Sequence, residues 1–217
     1  MSAASLEMAV AQGADGVSVT VVASSDGVLF AVSSLNLAEG TDVAKHIWAA
    51  SRYSTQTING ATLTGWFAHD FSAEELVQLH YIEPLGRQRS RSFEHSGVEP
   101  LLTLNGVLST VQSASSGVDV YIDVVEPSFH ERRGVDYAAA IAESLAASGW
   151  RANDARAAII SPEKTLLTQL RAQGVGSRHL YRCDAFGTAA DEMAKPDGDR
   201  RSYVMELRPE TIGSLSE

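Results

Sequence analysis

Two carboxylates and an imidazole follow one another closely at the end of a predicted strand. Asp123 lies within the strand, and Glu126 and His130 follow shortly after it. Carboxylate oxygens are the ligands that hard divalent cations prefer, and a histidine with a pKa near neutrality can carry a proton in a reaction. The spacing allows a metal site built from Asp123, Glu126 and His130. The alternative is that Glu126 and His130 are solvated loop residues.

A second group of charged side chains suits phosphate. Arg87, Arg89 and Arg91 alternate along a polar stretch, and guanidinium groups match the geometry of phosphate oxygens. The alternative is a solvated basic loop.

The single cysteine, Cys183, excludes an intrachain disulfide. It lies in an apolar, strand-like run and is predicted to be a buried, unreactive thiol.

Strands and helices alternate in the second half of the chain. Residues 118–125, 157–161 and 178–183 have the composition of buried strands. A helix over 134–148 and a helix opened by Ser161 as N-cap and Pro162 separate them. Parallel strands need such crossover helices, so the pattern predicts an α/β fold with a parallel sheet or barrel.

The first half combines hairpins with a long polar excursion. The β-branched run 16–23 and the segment 28–32 flank an Asp-Gly turn, and residues 34–70 hold a second predicted hairpin around Asn59-Gly60. Ser72 with Glu75 predicts a capping box that opens a helix reaching His80. Further elements are predicted as a helix at 101–113, loops at 86–96 and 191–201, and a short helix at 209–215.

Length and composition indicate one globular domain over 1–217, with the excursion at about 34–70 as an insertion. The chain has 217 residues, 44% of them hydrophobic, and a formal net charge of −10. Such an acidic chain is not expected to bind nucleic acid. No export signal and no membrane span are apparent, which predicts a cytoplasmic protein.

Several stretches, in order, resemble the glycerophosphodiester phosphodiesterases, in particular the larger bacterial type, which is often periplasmic or secreted. No single motif is specific, but the ordered set is. The stretches are the first helix and turn at 2–15, the hairpin Ser25-Asp26-Gly27-Val28-Leu29, the insertion residues 41–44 and 57–71, the helix at 72–76, 121–134 with Pro127 and Gly134, and the strand residues 159–161 with the helix that follows.

The resemblance implies an eight-stranded (β/α) barrel that hydrolyses glycerophosphodiesters to glycerol 3-phosphate and an alcohol. It also implies two histidines as acid and base, and a divalent cation, Mg²⁺ or Ca²⁺, held by carboxylates. The active-site residues of such barrels lie on strand ends and the loops that follow them.

The positions that match the family's catalytic motifs hold other residues. Ser18 and Thr20 stand where the family has Glu-x-Asp, and Ser33 and Ser34 stand where it has its second histidine. Asp123 and Val125 match its Glu-x-Lys, so one acid remains and the lysine does not. The first histidine motif has no counterpart. The predicted fold is therefore an incomplete or modified (β/α) TIM-type barrel with degenerate catalytic motifs.

Three functional hypotheses follow. The first is a catalytically degenerate homologue that binds a small-molecule ligand or a partner, by self-association or by pairing with a fuller barrel. The second is a phosphoric diester hydrolase of altered mechanism, which would need Mg²⁺ or Ca²⁺ and use the relocated group Asp123, Glu126 and His130. The third is a different enzyme that uses the vacated barrel mouth, since a fold does not fix a function.

Overall fold

The computed structural model describes residues 2–58, 60–83, 96–114, 117–183 and 203–206; at Cys183 and in 203–206 it describes the backbone alone. The regular elements, in chain order, are α1 (Ala3–Ala11), β1 (Gly16–Ala23), β2 (Leu29–Val32), β3 (Ser54–Ile58), β4 (Ala61–Gly65), α2 (Ala73–Leu76), α3 (Leu104–Ala114), β5 (Asp119–Val124), α4 (Pro127–Glu131), α5 (Tyr137–Ala147), β6 (Ala157–Ser161), α6 (Lys164–Ala172), β7 (Arg178–Cys183) and β8 (Tyr203–Glu206).

The main sheet has six described strands in the order β2-β1-β5-β6-β7-β8. The four central strands, β1, β5, β6 and β7, run parallel to one another. The outer strands β2 and β8 each pair antiparallel with a neighbour. The prediction of an α/β fold with a parallel sheet is confirmed. Within the described residues the sheet is open, because β2 and β8 do not pair with each other.

One face of the sheet carries the main core. Alternate residues of β1 and β5 point towards α1, α3, α5 and α6, and their side chains are almost completely buried. Burying each such aliphatic side chain contributes about 1.5–3 kcal/mol. The sheet and helix residues include Val17, Val19, Val21, Val120, Ile122, Val124, Leu104, Leu108, Ile141, Leu145, Leu166 and Leu170.

The opposite face of the same strands is more polar. Ser18 and Thr20 occupy the alternate positions of β1, and Tyr121 and Asp123 occupy those of β5, because successive side chains of a strand point to opposite faces. A small apolar cluster of Ala158, Ile160 and Leu180, with Tyr121 packed against it, continues this face across β6 and β7.

The segment between β2 and α3 packs as a unit over one end of that polar face. Its described residues form four 3-10 helices, the β3–β4 hairpin and α2. Its apolar residues join β1 and β2 through a second core cluster of Val22, Phe30, Val32, Leu37, Val43, Ala49, Ala68, Phe71, Leu76, Leu79 and Leu101. The predicted hairpin around Asn59-Gly60 is confirmed as β3–β4.

Helix boundaries differ from the sequence-based predictions for local reasons. The Ser72–Glu75 capping box is present, but α2 ends at Leu76. The chain then turns into a bridge at His80, so the prediction of a helix to His80 was wrong. Helix α6 begins at Lys164 with Glu163 as N-cap. Ser161 instead closes a turn, accepting the N–H of Glu163 at 3.0 Å and donating to its carbonyl at 3.1 Å.

Helix α5 also begins later than predicted, at Tyr137. Its N-cap is Asp136, whose Oδ1 accepts the N–H of Ala139 at 2.9 Å. Gly134 has a φ of 88° and belongs to the turn that ends α4. The predicted loops at 86–96 and 191–201 and the helix at 209–215 lie wholly or almost wholly outside the described residues. No helix in the described part of the chain is both long and apolar enough to cross a bilayer.

Candidate functional site

The positions that match the family's catalytic motifs come together on the polar face of the sheet. Thr20 on β1 and Asp123 on β5 are direct register partners, and Ser18 lies beside Tyr121. Strand β2 runs antiparallel to β1 with Val32 opposite Thr20, so Ser33 and Ser34 follow towards the level of Ser18.

The chemistry of this face is that of hydroxyls rather than of acids and bases. Ser18 is exposed and Thr20 is half-buried. The hydroxyl of Ser34 accepts the N–H of Asn36 at 3.3 Å, within a local turn. Hydroxyl groups donate and accept hydrogen bonds, but they do not act as nucleophiles without a base to activate them.

The carboxylate of Asp123, on this face, is held by an arginine. Nη1 of Arg182, on β7, donates to both carboxylate oxygens of Asp123 at 2.6 Å, across the intervening strand β6. Burial raises the pKa of Asp123 above its ordinary value, and the Arg182 guanidinium opposes that rise. A second pair, Arg178 with Asp119 at 3.4 Å, joins the same two strands four residues closer to their amino ends.

These residues do not fit the carboxylate-held divalent cation that the family resemblance implies. Mg²⁺ and Ca²⁺ need several oxygen ligands, and carboxylates supply the negative charge that holds them. Here Ser18 and Thr20 bring no charge, and the charge of Asp123 is already matched by Arg182. We therefore derive no catalytic step through such a cation at this face.

The relocated group of Asp123, Glu126 and His130 does not assemble as a metal site in the described residues. Asp123 binds Arg182, and Glu126 adopts left-handed backbone geometry, with a φ of 51°, where α4 begins. His130 is only 1% exposed. The alternative interpretation of His130 as a solvated loop residue is wrong, because 127–131 forms a helical turn that turns His130 inward.

His130 instead joins a buried cluster of rings that sequence reasoning did not predict. Its ring lies 5.7 Å from that of His69, and Phe129 and Tyr137 also pack against it. His69 comes from the 3-10 turn Ala68–Asp70, far away in the sequence. Neither ring nitrogen of His130 has a hydrogen-bond partner among the described residues.

Both imidazoles of this cluster are held neutral by their surroundings. Burial, together with the nearby His69 and Arg133, lowers the pKa of His130 to about 3. Burial likewise lowers the pKa of His69, although the carboxylate of Asp70, 3.3 Å from its Nε2, opposes the change. The pair is closed to solvent, so it cannot serve as an accessible acid and base.

Comparison with known proteins identifies the family to which this chain belongs. Residues 1–179 match the family model described as the glycerophosphoryl diester phosphodiesterase family, and the chain belongs to this family. The similarity to glycerophosphodiester phosphodiesterase GDPD6 of Arabidopsis thaliana is 32% identity over 121 residues, which covers 56% of this chain and 32% of that protein.

Solved structures show the same fold. A phosphodiesterase of Oleispira antarctica, in complex with the product sn-glycerol-3-phosphate, matches with a TM-score of 0.60 and 20% identity over 88% of this chain and 64% of that one. A protein from Silicibacter pomeroyi described as a putative glycerophosphoryl diester phosphodiesterase matches with a TM-score of 0.59 and 15% identity over 82% and 58%. The chain thus spans about a third of the curated relative's length and less than two thirds of these solved chains.

Proposed function

We propose that this chain is a family member that does not hydrolyse phosphodiesters by the family's mechanism and that acts by binding a ligand or a partner chain. The ion pair between Asp123 and Arg182 is the observation that supports this most directly. It places a fixed cation against the one carboxylate left at the motif positions.

The chemistry of phosphodiester hydrolysis explains why the pair matters. The anionic oxygens of a phosphodiester repel a nucleophile, so a metal must neutralise charge while a base removes a proton from water. Neither function is supplied by the side chains at the motif positions Ser18, Thr20, Ser33 and Ser34. The charge of the Asp123 carboxylate is already neutralised by its ion pair with Arg182. Val125 stands where the family has a lysine, so the cationic side chain of that motif is also missing.

We expect no release of glycerol 3-phosphate from glycerophosphocholine or glycerophosphoethanolamine with Mg²⁺, Ca²⁺, Mn²⁺ or Zn²⁺, because no described group at this face can hold the metal and move the proton. An enzyme-coupled assay for glycerol 3-phosphate measures this, with the Oleispira antarctica phosphodiesterase as the active control. The same incubations, followed by thermal denaturation, show whether a diester binds without reacting, since a ligand of the native state raises the melting temperature.

Metal-dependent turnover well above the background without protein would contradict the proposal and favour a hydrolase of altered mechanism. Alanine variants of Asp123, Glu126 and His130 then show whether that group carries the activity. Turnover that survives all three, with another small substrate, would favour a different enzyme using the barrel mouth.

The partner-binding part of the proposal concerns the edges of the open sheet. The edge at β2 is covered by its own chain, because the N–H of Ala31 donates to the carbonyl of Leu102 at 2.8 Å and Phe30 bridges Thr103. At the opposite end of the sheet, β8 pairs within the described residues with β7 alone. An unpaired strand edge is a template for pairing with another chain.

We expect the protein to associate through the β8 side, with itself or with a fuller barrel of the same family. Light scattering coupled to size exclusion, over a hundredfold range of protein concentration, measures the self-association. A dimer that dissociates on dilution is the expected result. A monomer at every concentration that also captures no family member would contradict this part of the proposal.

A further inference from the structure

Asp42, His46 and His80 form a cluster of metal-type ligands outside the sheet. Nε2 of His46 lies 3.3 Å from Oδ1 of Asp42, and Nδ1 of His80 lies 3.2 Å from Oδ2. One ligand atom from each residue falls within 4.8 Å of the other two. It is the one group of three or more such ligands found within the described part of the chain.

The backbone builds this cluster from two distant segments. Asp42 precedes the 3-10 turn Val43–Lys45, and that turn places His46 beside it. His80 follows α2 and pairs with the first segment through its backbone. The N–H of Asp42 donates to the carbonyl of His80 at 3.1 Å, and the N–H of His80 donates to Oδ1 of Asp42 at 2.8 Å. A bridge between Thr41 and Tyr81 extends the same contact.

One ring nitrogen in the cluster is left unsatisfied. Nε2 of His46 is buried and has no hydrogen-bond partner of acceptable geometry among the described residues, although Asp42 is near. A buried polar atom without a partner costs free energy, and such atoms point to an unmodelled partner or to a function. An ion between His46 and Asp42 would satisfy this nitrogen.

The spacing of the ligands fits a tetrahedral ion. Two ligands that each bind zinc at about 2.0–2.1 Å are about 3.3 Å apart on a tetrahedron. Nε2 of His46 lies 3.3 Å from Oδ1 of Asp42 and Nδ1 of His80 lies 3.2 Å from Oδ2, each close to this edge length, and one ligand atom from each of the three residues falls within 4.8 Å of the others. Two imidazoles with one carboxylate suit zinc and its transition-metal neighbours rather than Mg²⁺ or Ca²⁺, which prefer oxygen ligands.

The cluster is accessible as well as ordered. The side chain of Asp42 is 12% exposed, while those of His46 and His80 are 24% and 38% exposed, so an ion can enter from solvent. Trp48 packs against His46 with a distance of 5.2 Å between ring centroids and therefore reports on the site by fluorescence.

We propose that Asp42, His46 and His80 bind one zinc-type transition-metal ion that clamps the segment after β2 to the segment after α2. Three protein ligands leave a fourth tetrahedral position for water or an external ligand. The inference is independent of the proposed loss of hydrolysis, because none of the three residues lies on the polar face of the sheet.

We expect the full chain, freed of metal with a chelator and carrying no polyhistidine tag, to bind one Zn²⁺ in calorimetric titration. Cu²⁺ should quench the Trp48 fluorescence, and Co²⁺ should give the visible absorption of a tetrahedral site. Saturating Zn²⁺ should raise the melting temperature by several degrees, because it binds the native state and not the unfolded one. Millimolar Mg²⁺ or Ca²⁺ should not compete.

The variants D42N, H46Q and H80Q each remove one ligand and should weaken Zn²⁺ binding at least about tenfold. D42N retains an oxygen that can accept the His80 N–H, so the fold around the site is preserved; chelator-treated melting temperatures check this for every variant. D26N is the matched control, since Asp26 accepts the Ser24 hydroxyl and the Ala73 N–H and has no such histidine pair. Zinc binding that is absent in the parent protein, or unchanged in the H46Q/H80Q protein, would overturn the proposal and leave a simple carboxylate–imidazole contact.

Discussion

We expect the free energy of unfolding to fall by about 5 kcal/mol when the pH is lowered from 6.5 to 4.5, because buried histidines remain neutral in the native protein while the unfolded chain takes up protons. Burial lowers the pKa of His130 to about 3 and that of His179 to about 4, and Arg171 beside His179 adds to the second shift. The pKa of His69 is also lowered by burial.

The direction follows from the two states. A histidine whose native pKa lies below its unfolded value of about 6.5 contributes stability that is complete above 6.5 and is lost as the pH falls towards the native pKa. Each pKa unit corresponds to about 1.4 kcal/mol, so two units of acidification remove about 2–3 kcal/mol for each of His130 and His179. Carboxylates with unfolded pKa values of about 3.9–4.3 begin to protonate near pH 4.5, so the histidine contribution is taken from the difference between the parent protein and a variant that lacks the histidine.

Urea denaturation followed by circular dichroism, at half-unit steps from pH 7.5 to 4.5, measures the slope. In His130→Leu the slope should be smaller by about 1.4 kcal/mol per pH unit, because one proton fewer is taken up on unfolding. Phe129→Leu is the matched control, since it disturbs the same ring cluster without removing a titratable group. A stability that stays constant from pH 6.5 to 4.5 would contradict the assigned burial of His130.

The sequence predicts the elements of this protein better than it predicts the contacts between them. The sequences Asp26-Gly27 and Asn59-Gly60 correctly indicated two hairpins, because Gly27 and Gly60 adopt the positive φ, 84° and 79°, that tight turns need. The alternation within β1 and β5 placed Ser18, Thr20 and Asp123 on one face. Both are local properties, so they can be read from neighbouring residues.

Three features of the sites depend on contacts that leave no local signal. The pairing of Asp123 with Arg182 requires the register of β5, β6 and β7, which no short stretch specifies. The Asp42–His46 spacing is visible in the sequence, but His80 reaches it only through the bridge between the two segments. The burial of His130 follows from a single helical turn after β5 that packs against the distant His69.

We expect Arg182→Met to lower the free energy of unfolding by about 2–3 kcal/mol at pH 7, since it leaves the carboxylate of Asp123 without a counter-ion. Removing one partner of a fully buried ion pair costs about 3–5 kcal/mol. The lower value applies here because the side chains of Arg182 and Asp123 retain 21% and 19% exposure.

The pH dependence of this variant distinguishes a lost charge from lost packing. Burial already raises the native pKa of Asp123, and removing the guanidinium that opposes it raises the pKa further. A carboxyl group with a raised native pKa favours folding at low pH, and this contribution is lost as the pH rises from the unfolded pKa of about 3.9 through the native value. The deficit of Arg182→Met relative to the parent should therefore shrink as the pH falls from 7 towards 4, and loss of packing alone gives a constant deficit.

A double-mutant cycle with Asp123→Asn isolates the interaction. The pair Asp123→Asn/Arg182→Met should be more stable than Arg182→Met alone, because the unpaired charge is gone, and a coupling of at least about 1 kcal/mol is expected. Arg178→Met is the control, since its partner Asp119 joins the same strands at the longer distance of 3.4 Å. A strong coupling between Asp123 and Arg182 means that the guanidinium supplies the positive charge that a metal ion would otherwise supply at this face. Asp123 is then a structural residue. A coupling near zero would leave Asp123 free to serve as a ligand and would weaken the argument against hydrolysis.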